Sequence, residues 1–133
     1  MGNAKVLVVD DEIQYLDVVA FKFRNAGLEV LTARDGQQAL QLALAQLPAV
    51  VVSDYQMPAL DGLGLCRQLR ADPRTARVPF ILLTAYGLDI QEDGLSEAGV
   101  TAVMSKPFSP RELLARVNEL LRPAQAAAVA EGT

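Results

Sequence analysis

The residues of this chain able to do chemistry stand directly after short apolar runs. Asp10-Asp11-Glu12 follows the first run, Ser53-Asp54 a later one, then Thr84, then Lys106-Pro107. The sequence contains no histidine and a single cysteine, Cys66. That excludes Ser-His-Asp and Cys-His catalysis, HExxH zinc sites, and phosphorylation of a histidine within the chain. The available chemistry therefore runs on carboxylates, hydroxyls, lysine or a metal. Acids brought together at adjacent strand ends repel one another, and partial burial weakens the screening. A divalent cation relieves that repulsion, and an all-oxygen donor set favours Mg²⁺, with Mn²⁺ also possible, over zinc. Mg²⁺ keeps several waters and takes one or two carboxylates plus a phosphate oxygen, so such a site suits a phosphoryl group. Lys106 would add a positive point charge and Thr84 a hydrogen-bonding hydroxyl. The set describes phosphoryl transfer, in which positioning and charge neutralisation do most of the work and a carboxylate can serve as nucleophile.

The elements that must position these groups are legible as an alternation repeated five times. The apolar runs Val6–Val9, Val50–Val52, Phe80–Leu83 and Ala102–Met104 read as parallel strands covered on both faces. The more polar run Leu28–Thr32 reads as an edge strand. Between them, Ile13, Leu16, Val19, Ala20 and Phe23 recur at helical spacing, with Gly27 as a stop. Ala39, Leu40, Ala43, Leu44 and Leu47 form a second helical stripe ended by Pro48, and Leu63 to Leu69 a third, closed before Asp72-Pro73. A fourth predicted helix, near Asp89 to Ala98, is weakened by Gly87 and Gly94. The fifth begins with Ser109-Pro-Arg-Glu112, a capping box with proline at the first helical position. Strict alternation with right-handed crossovers predicts an α/β, flavodoxin-like, doubly wound parallel sheet of five strands with five helices, in order 2-1-3-4-5. In that order the ligand crevice opens between strands one and three, the strands that carry the acids.

At 133 residues the chain is one domain, with a net charge of −4 and no basic block. Direct nucleic-acid binding is not expected. No signal-peptide pattern precedes Val6, and no apolar run approaches the roughly 18 residues of a spanning helix. The expectation is a cytoplasmic protein with no membrane partner. Residues 1–122 are read as the domain, and 123–133 as an Ala-rich tail or a truncated linker. Each candidate has a simpler reading when taken singly. Asp11 with Gln14 could form a capping box on the first helix, Asp54 could be a turn acid, Thr84 a strand-end hydroxyl and Lys106 a solvated charge. Their co-occurrence at four strand ends is what argues for a site.

Val8-Val-Asp-Asp-Glu12, Val52-Ser-Asp-Tyr-Gln-Met-Pro58, Asp61-Gly62, Leu82-Leu-Thr-Ala85 and Ser105-Lys-Pro-Phe108 together resemble the motif set of bacterial two-component response-regulator receiver domains, from about Lys5 to Arg122. The resemblance implies that Asp54 is the phosphoacceptor, with Thr84 as the switch hydroxyl and Lys106 as the phosphate-pairing lysine. It implies Mg²⁺ ligation by Asp11, Asp54 and the backbone carbonyl of Gln56, with Asp10 acting partly through bound water. It further implies a phosphodonor histidine on a sensor kinase or a histidine phosphotransfer protein, and an output through a downstream protein or fused domain. A phosphorylation-dependent homodimer through the surface of helix four, strand five and helix five also belongs to the family pattern. Such a domain assists its own phosphorylation and dephosphorylation without being a classical enzyme.

The chain departs from the family at Val103, where many receivers carry a Tyr or Phe whose ring turns inward. A β-branched valine has few rotamers and no ring to bury. The expectation is instead a read-out through the Tyr86–Gly99 backbone, with the Tyr86 ring partly covering Asp54. Cys66, Gly62 and Gly64 are read as packing residues, and Phe21, Phe23 and Phe80 as core or partly buried surface. Two other functions compete. An unphosphorylated pseudo-receiver would keep only a dimerisation surface. A haloacid-dehalogenase-type phosphatase would place Asp-x-Asp after its first strand, whereas here the two acids are adjacent and the candidate nucleophile lies on the third.

Overall fold

The computed structural model describes residues 4–84, 95, 97–105 and 109–132, with side chains as far as 121. Five strands are present: β1 (Lys5–Val9), β2 (Glu29–Ala33), β3 (Val50–Asp54), β4 (Phe80–Thr84) and β5 (Ala102–Ser105). They form one parallel sheet in the order β2-β1-β3-β4-β5. Helices α1 (Ile13–Asn25), α2 (Gly36–Gln46), α3 (Gly62–Ala71) and α4 (Pro110–Gly132) complete the described elements, α4 being the fifth helix of the sequence reading. The predicted fourth helix falls largely outside the described residues. Leu95, Glu97 and Ala98 are helical, and the turn closes at Gly99, whose φ of +83° favours glycine.

The period-2 alternation of the strands divides the core into two layers. Leu7, Val9, Val51, Phe80 and Leu82 pack with Ala39, Ala43, Leu65, Cys66 and Leu69 of α2 and α3. Val6, Val8, Val50, Val52, Ile81 and Leu83 pack with Leu16, Val19, Phe23, Leu113 and Val117 of α1 and α4. Burying each large apolar side chain of this kind contributes about 1.5–3 kcal/mol, which offsets the backbone ordering cost. Cys66 is fully buried, and burial pushes its thiol pKa up, consistent with a small apolar packing residue.

The helix ends follow local chemistry. Gly27, at φ +89°, lets its own N–H return to Arg24 O and that of Leu28 to Phe23 O, closing α1. The Ser109 hydroxyl accepts from the Glu112 N–H at 3.1 Å, as the predicted box requires. Several expectations need correcting. Leu47 is not part of the α2 stripe: it adopts φ 49° as the left-handed cap and is exposed, because Pro48 prevents the helix from continuing. Phe21 is 69% exposed, since the α1 stripe that meets the sheet runs through Leu16, Val19, Ala20 and Phe23 instead. Among the described residues, the fifth strand is not covered on both faces. It lies at the sheet edge, where Val103 and Ser105 are exposed.

Candidate functional site

The site forms where β1 and β3 run side by side. Val9 is the register partner of Ser53, so the next residue of each strand, Asp10 and Asp54, meets at the carboxyl edge. The alternation that sends Val6, Val8, Val50 and Val52 into the α1–α4 layer carries both acids towards the same side. Asp10 is fully buried and Asp54 nearly so, while Asp11 is exposed at the rim. One oxygen from each of the three carboxylates lies within 4.8 Å of the others.

Backbone amides hold these acids in place. The Glu12 N–H donates to Asp10 Oδ1 at 2.9 Å, and the Tyr55 N–H to Asp54 Oδ1 at 3.0 Å. The N-cap of α1 is Glu12, without a side-chain cap, so the alternative Asp11–Gln14 capping box is not formed. Asp11 is turned to the acid cluster instead. The Ser53 hydroxyl donates to the Asp54 carbonyl at 2.9 Å, which satisfies a buried polar side chain next to the site.

The segment after β3 is folded tightly against the strand ends. The Tyr55 N–H donates to Leu83 O, and the Gly62 N–H to Tyr55 O, both at 2.8 Å. Ala59 takes a positive φ of 68°, and Asp61 caps α3 by accepting from the Gly64 N–H at 2.7 Å. A Cβ at Gly62 would stand 2.5 Å from the Asp54 carbonyl oxygen. Only glycine lets α3 begin this close to the acid, a role that the sequence motif Asp61-Gly62 signalled but helical periodicity did not. Asp11, Tyr55, Gln56, Met57, Pro58 and Asp61 line an open cavity of about 450 Å³ beside the cluster.

Thr84 ends β4, is buried, and is paired with Ser105 of β5. Asp54 pairs with Leu83, so Thr84 stands one step beyond it on the neighbouring strand. Lys106 and Tyr86 lie outside the described residues, as does most of the Tyr86–Gly99 segment. Val103 is paired with Leu82 and is 39% exposed.

Tyr15, in the first turn of α1, was not singled out from the sequence. It packs in the α1–α4 layer with its hydroxyl shielded from solvent. Its pKa is pushed well above that of an ordinary tyrosine, first by burial and then by the charges of Asp10 and Asp54. The signal in the sequence was its place two residues after Ile13, in the first turn of α1, one residue before the buried stripe that begins at Leu16.

The donor set fits a small hard cation. Octahedral Mg²⁺ holds its oxygens at about 2.1 Å, which separates opposite ligands by about 4.2 Å. The three carboxylate oxygens, all within 4.8 Å of one another, stand close to that span. Asp10, Asp11 and Asp54 are the only such group among the described residues.

Comparison with known proteins agrees with this architecture. The family model described as "Response regulator receiver domain" matches residues 6–118. The chain is 39% identical over 126 residues to the alkaline phosphatase synthesis transcriptional regulatory protein PhoP of Bacillus subtilis, covering 95% of this chain and 52% of that protein. It is 44% identical over 124 residues to the probable transcriptional regulator ycf27 of Cyanophora paradoxa, covering 92% and 50%. It thus spans about half the length of these relatives. Among solved structures, the chemotaxis protein CheY4 of Vibrio cholerae superposes with a TM-score of 0.83 at 31% identity, covering 90% of this chain and 99% of that one. The receiver domain of sensor histidine kinase PA1611 from Pseudomonas aeruginosa, solved with a magnesium ion in its active-site cleft, gives 0.78 at 31% identity, covering 91% and 97%. With its sheet order, its acid cluster and its sequence in agreement, the chain belongs to the response-regulator receiver domain family.

Proposed function

We propose that this domain takes a phosphoryl group onto Asp54 from a phosphohistidine on a sensor kinase or a histidine phosphotransfer protein. The observation that carries the reading is the convergence of Asp10, Asp11 and Asp54 at the β1–β3 edge. Mg²⁺ held there would supply positive charge to offset the carboxylates and a Lewis acid for a phosphoryl oxygen. Asp11 and Asp54, with the Gln56 carbonyl, would hold the ion directly, and Asp10 would hold it partly through water. A magnesium-bound cleft in the related PA1611 receiver supports this assignment.

The chain's own residues do the rest. A carboxylate oxygen of Asp54 attacks phosphorus, and the donor imidazole leaves with the electron pair of the P–N bond. Lys106 pairs with the phosphoryl charge, and Thr84 donates its hydroxyl to a phosphoryl oxygen. Drawing Thr84 inward alters β4, its neighbour β5 and the surface they share with the fourth predicted helix and α4. That surface controls an output module, either a fused domain or a separate protein, or it forms a phosphorylation-dependent dimer. The relatives named as transcriptional regulators are about twice as long as this chain, which supports an output carried elsewhere. The domain acts in this scheme as a phosphoacceptor that assists its own phosphorylation and dephosphorylation, not as a classical enzyme. A cytoplasmic setting suits that partnership, and no described helix is long and apolar enough to cross a membrane.

Incubation with acetyl phosphate and Mg²⁺, read by intact mass, tests the chemistry. One phosphoryl adduct is expected, abolished by Asp54→Asn or by chelation. An adduct that persists in Asp54→Asn would overturn the assignment.

A further inference from the structure

The loop that walls the pocket has a fastening of its own. Tyr55, Gln56, Met57, Pro58 and Asp61 line the cavity, whereas Leu60 packs with the α2–α3 layer of the core. The Leu60 N–H donates to Pro58 O at 2.8 Å, which closes a three-residue turn on Ala59 at φ 68°. An alanine in that conformation is strained and persists only where its surroundings fix it. Ala59 is exposed, so its own side chain supplies no such restraint. The next residue does. A Cβ at Gly36, the first residue of α2, would overlap the Leu60 carbonyl oxygen and stand 2.8 Å from Leu60 Cβ. A Cβ at Gly64, in the first turn of α3, would stand 2.7 Å from Leu60 Cδ1. Two glycines from two helices open one seat, and Leu60 fills it.

We infer that Leu60 is a positioning residue of the pocket: seated against Gly36 and Gly64, it keeps the strained turn closed and so fixes the Tyr55–Pro58 wall, with the Gln56 carbonyl assigned to the ion. The inference rests on the reading of that pocket as an Mg²⁺ site. Without the seated side chain the turn relaxes into other conformations. Binding then draws only on the fraction of molecules whose wall is in place, and apparent affinity falls with that fraction. A Leu60 that served only the core would lower stability when removed and leave the Mg²⁺ affinity of the folded chain unchanged. The seat also dictates a reversal of sign at Gly64. Alanine is favoured over glycine inside a helix, so Gly64→Ala should destabilise only while the Leu60 side chain is there to be struck.

The test compares the wild-type chain with Leu60→Ala, Gly64→Ala and their double variant, and with Leu60→Met as the conservative replacement. Mg²⁺ binding is measured by calorimetry on the folded proteins, and thermal unfolding is followed in chelator. Leu60→Ala is expected to bind Mg²⁺ about five- to tenfold more weakly, and Leu60→Met to recover most of that loss. Gly64→Ala should melt below wild type, yet the double variant should melt above Leu60→Ala. Leu60→Val, which also lacks Cδ1, takes the place of Leu60→Ala throughout if the latter does not fold. Unchanged Mg²⁺ affinity in the folded Leu60 variant, or a Gly64→Ala effect of the same sign in both backgrounds, overturns the inference while leaving the receiver reading intact. A wild-type chain that neither binds Mg²⁺ nor forms the acetyl-phosphate adduct overturns both.

Discussion

A side chain added at Gly62 would meet two neighbours at once, the Asp54 carbonyl oxygen at 2.5 Å and Leu82 Cδ1 at 2.6 Å. Neither is the loose end of a flexible surface chain, because Asp54 ends a central strand and Leu82 is fully buried. Gly62→Ala must therefore shift α3 or the strand end, and overpacking of this kind costs about 1–3 kcal/mol. The expected result is a lower denaturation midpoint together with slower adduct formation from acetyl phosphate. Gly27→Ala would cost stability through its φ of +89° but touches nothing near the site, so phosphorylation should survive it. If Gly62→Ala matched wild type in both measurements, the tight seating of α3 against Asp54 would be wrong. The acids are held by a comparably local device, backbone N–H groups that fix their oxygens, so their geometry depends on where the strands end.

At the scale of elements, the C-terminal end of α3 is tied to the turn that precedes β5. Arg70 donates from Nη2 and Nε to the Gly99 carbonyl at 2.8 and 3.2 Å, and its Nη1 reaches Ala76 O at 3.3 Å. The planar guanidinium serves two separate backbone stretches together, which an ammonium does with difficulty. Gly99 allows this approach, since a Cβ there would lie 2.8 Å from Arg70 Nε. The next residues run directly into the sheet, with the Thr101 N–H donating to Phe80 O at 2.9 Å. Arg70→Ala should cost about 1–3 kcal/mol, with Arg70→Lys restoring only part of it, as measured by urea denaturation. Hydrogen exchange should quicken at Gly99 to Thr101 while the amides of β1 and β3 keep their protection. Faster exchange spread evenly over the sheet would contradict a local clasp. Because this clasp lies at the opposite end of β4 from Thr84, Arg70→Ala should leave the phosphoryl adduct intact.

For the molecule as a whole, a ligand that binds only the folded state raises stability by mass action. Mg²⁺ at about a hundred times its dissociation constant would contribute about 2.7 kcal/mol. A thermal shift that rises with Mg²⁺ concentration is expected for the wild-type chain and should be largely lost in Asp11→Asn. Asp11 is the suitable probe because it is exposed at the rim and is not needed to cap α1, so its loss should not unfold the domain. An undiminished shift in Asp11→Asn would place the ion elsewhere. The central strands β1, β3 and β4 are buried on both faces, while β5 at the edge exposes Val103 and Ser105. Buried Thr84 at the end of β4 is in register with exposed Ser105 of β5.

Much of this was legible from residue order, for reasons that are local. Apolar runs of strand length alternating with helical stripes specify a doubly wound sheet, because each run must be covered on both faces. The acids that meet at the β1–β3 edge stand in the sequence where those runs stop. Fold class, strand order and the acidic pocket could all be read before any coordinates. Other features depend on groups distant in sequence that meet only after packing. Residue order could not tell whether Asp11 would cap α1 or turn to the cluster, since capping residues and metal ligands are the same residue types. Phe21 and Phe23 have identical chemistry, and only the rotation of α1 on the sheet decides which one is buried. Tyr15 packs against the core because α1 lies on the side of the sheet that Val6, Val8, Val50 and Val52 face. The Arg70 clasp joins residues 29 apart, and Gly62 is needed because a helix start and a strand end come to share one small space. Local pattern determined the elements and where the acids stand in them; tertiary packing decided which of the remaining side chains those acids meet.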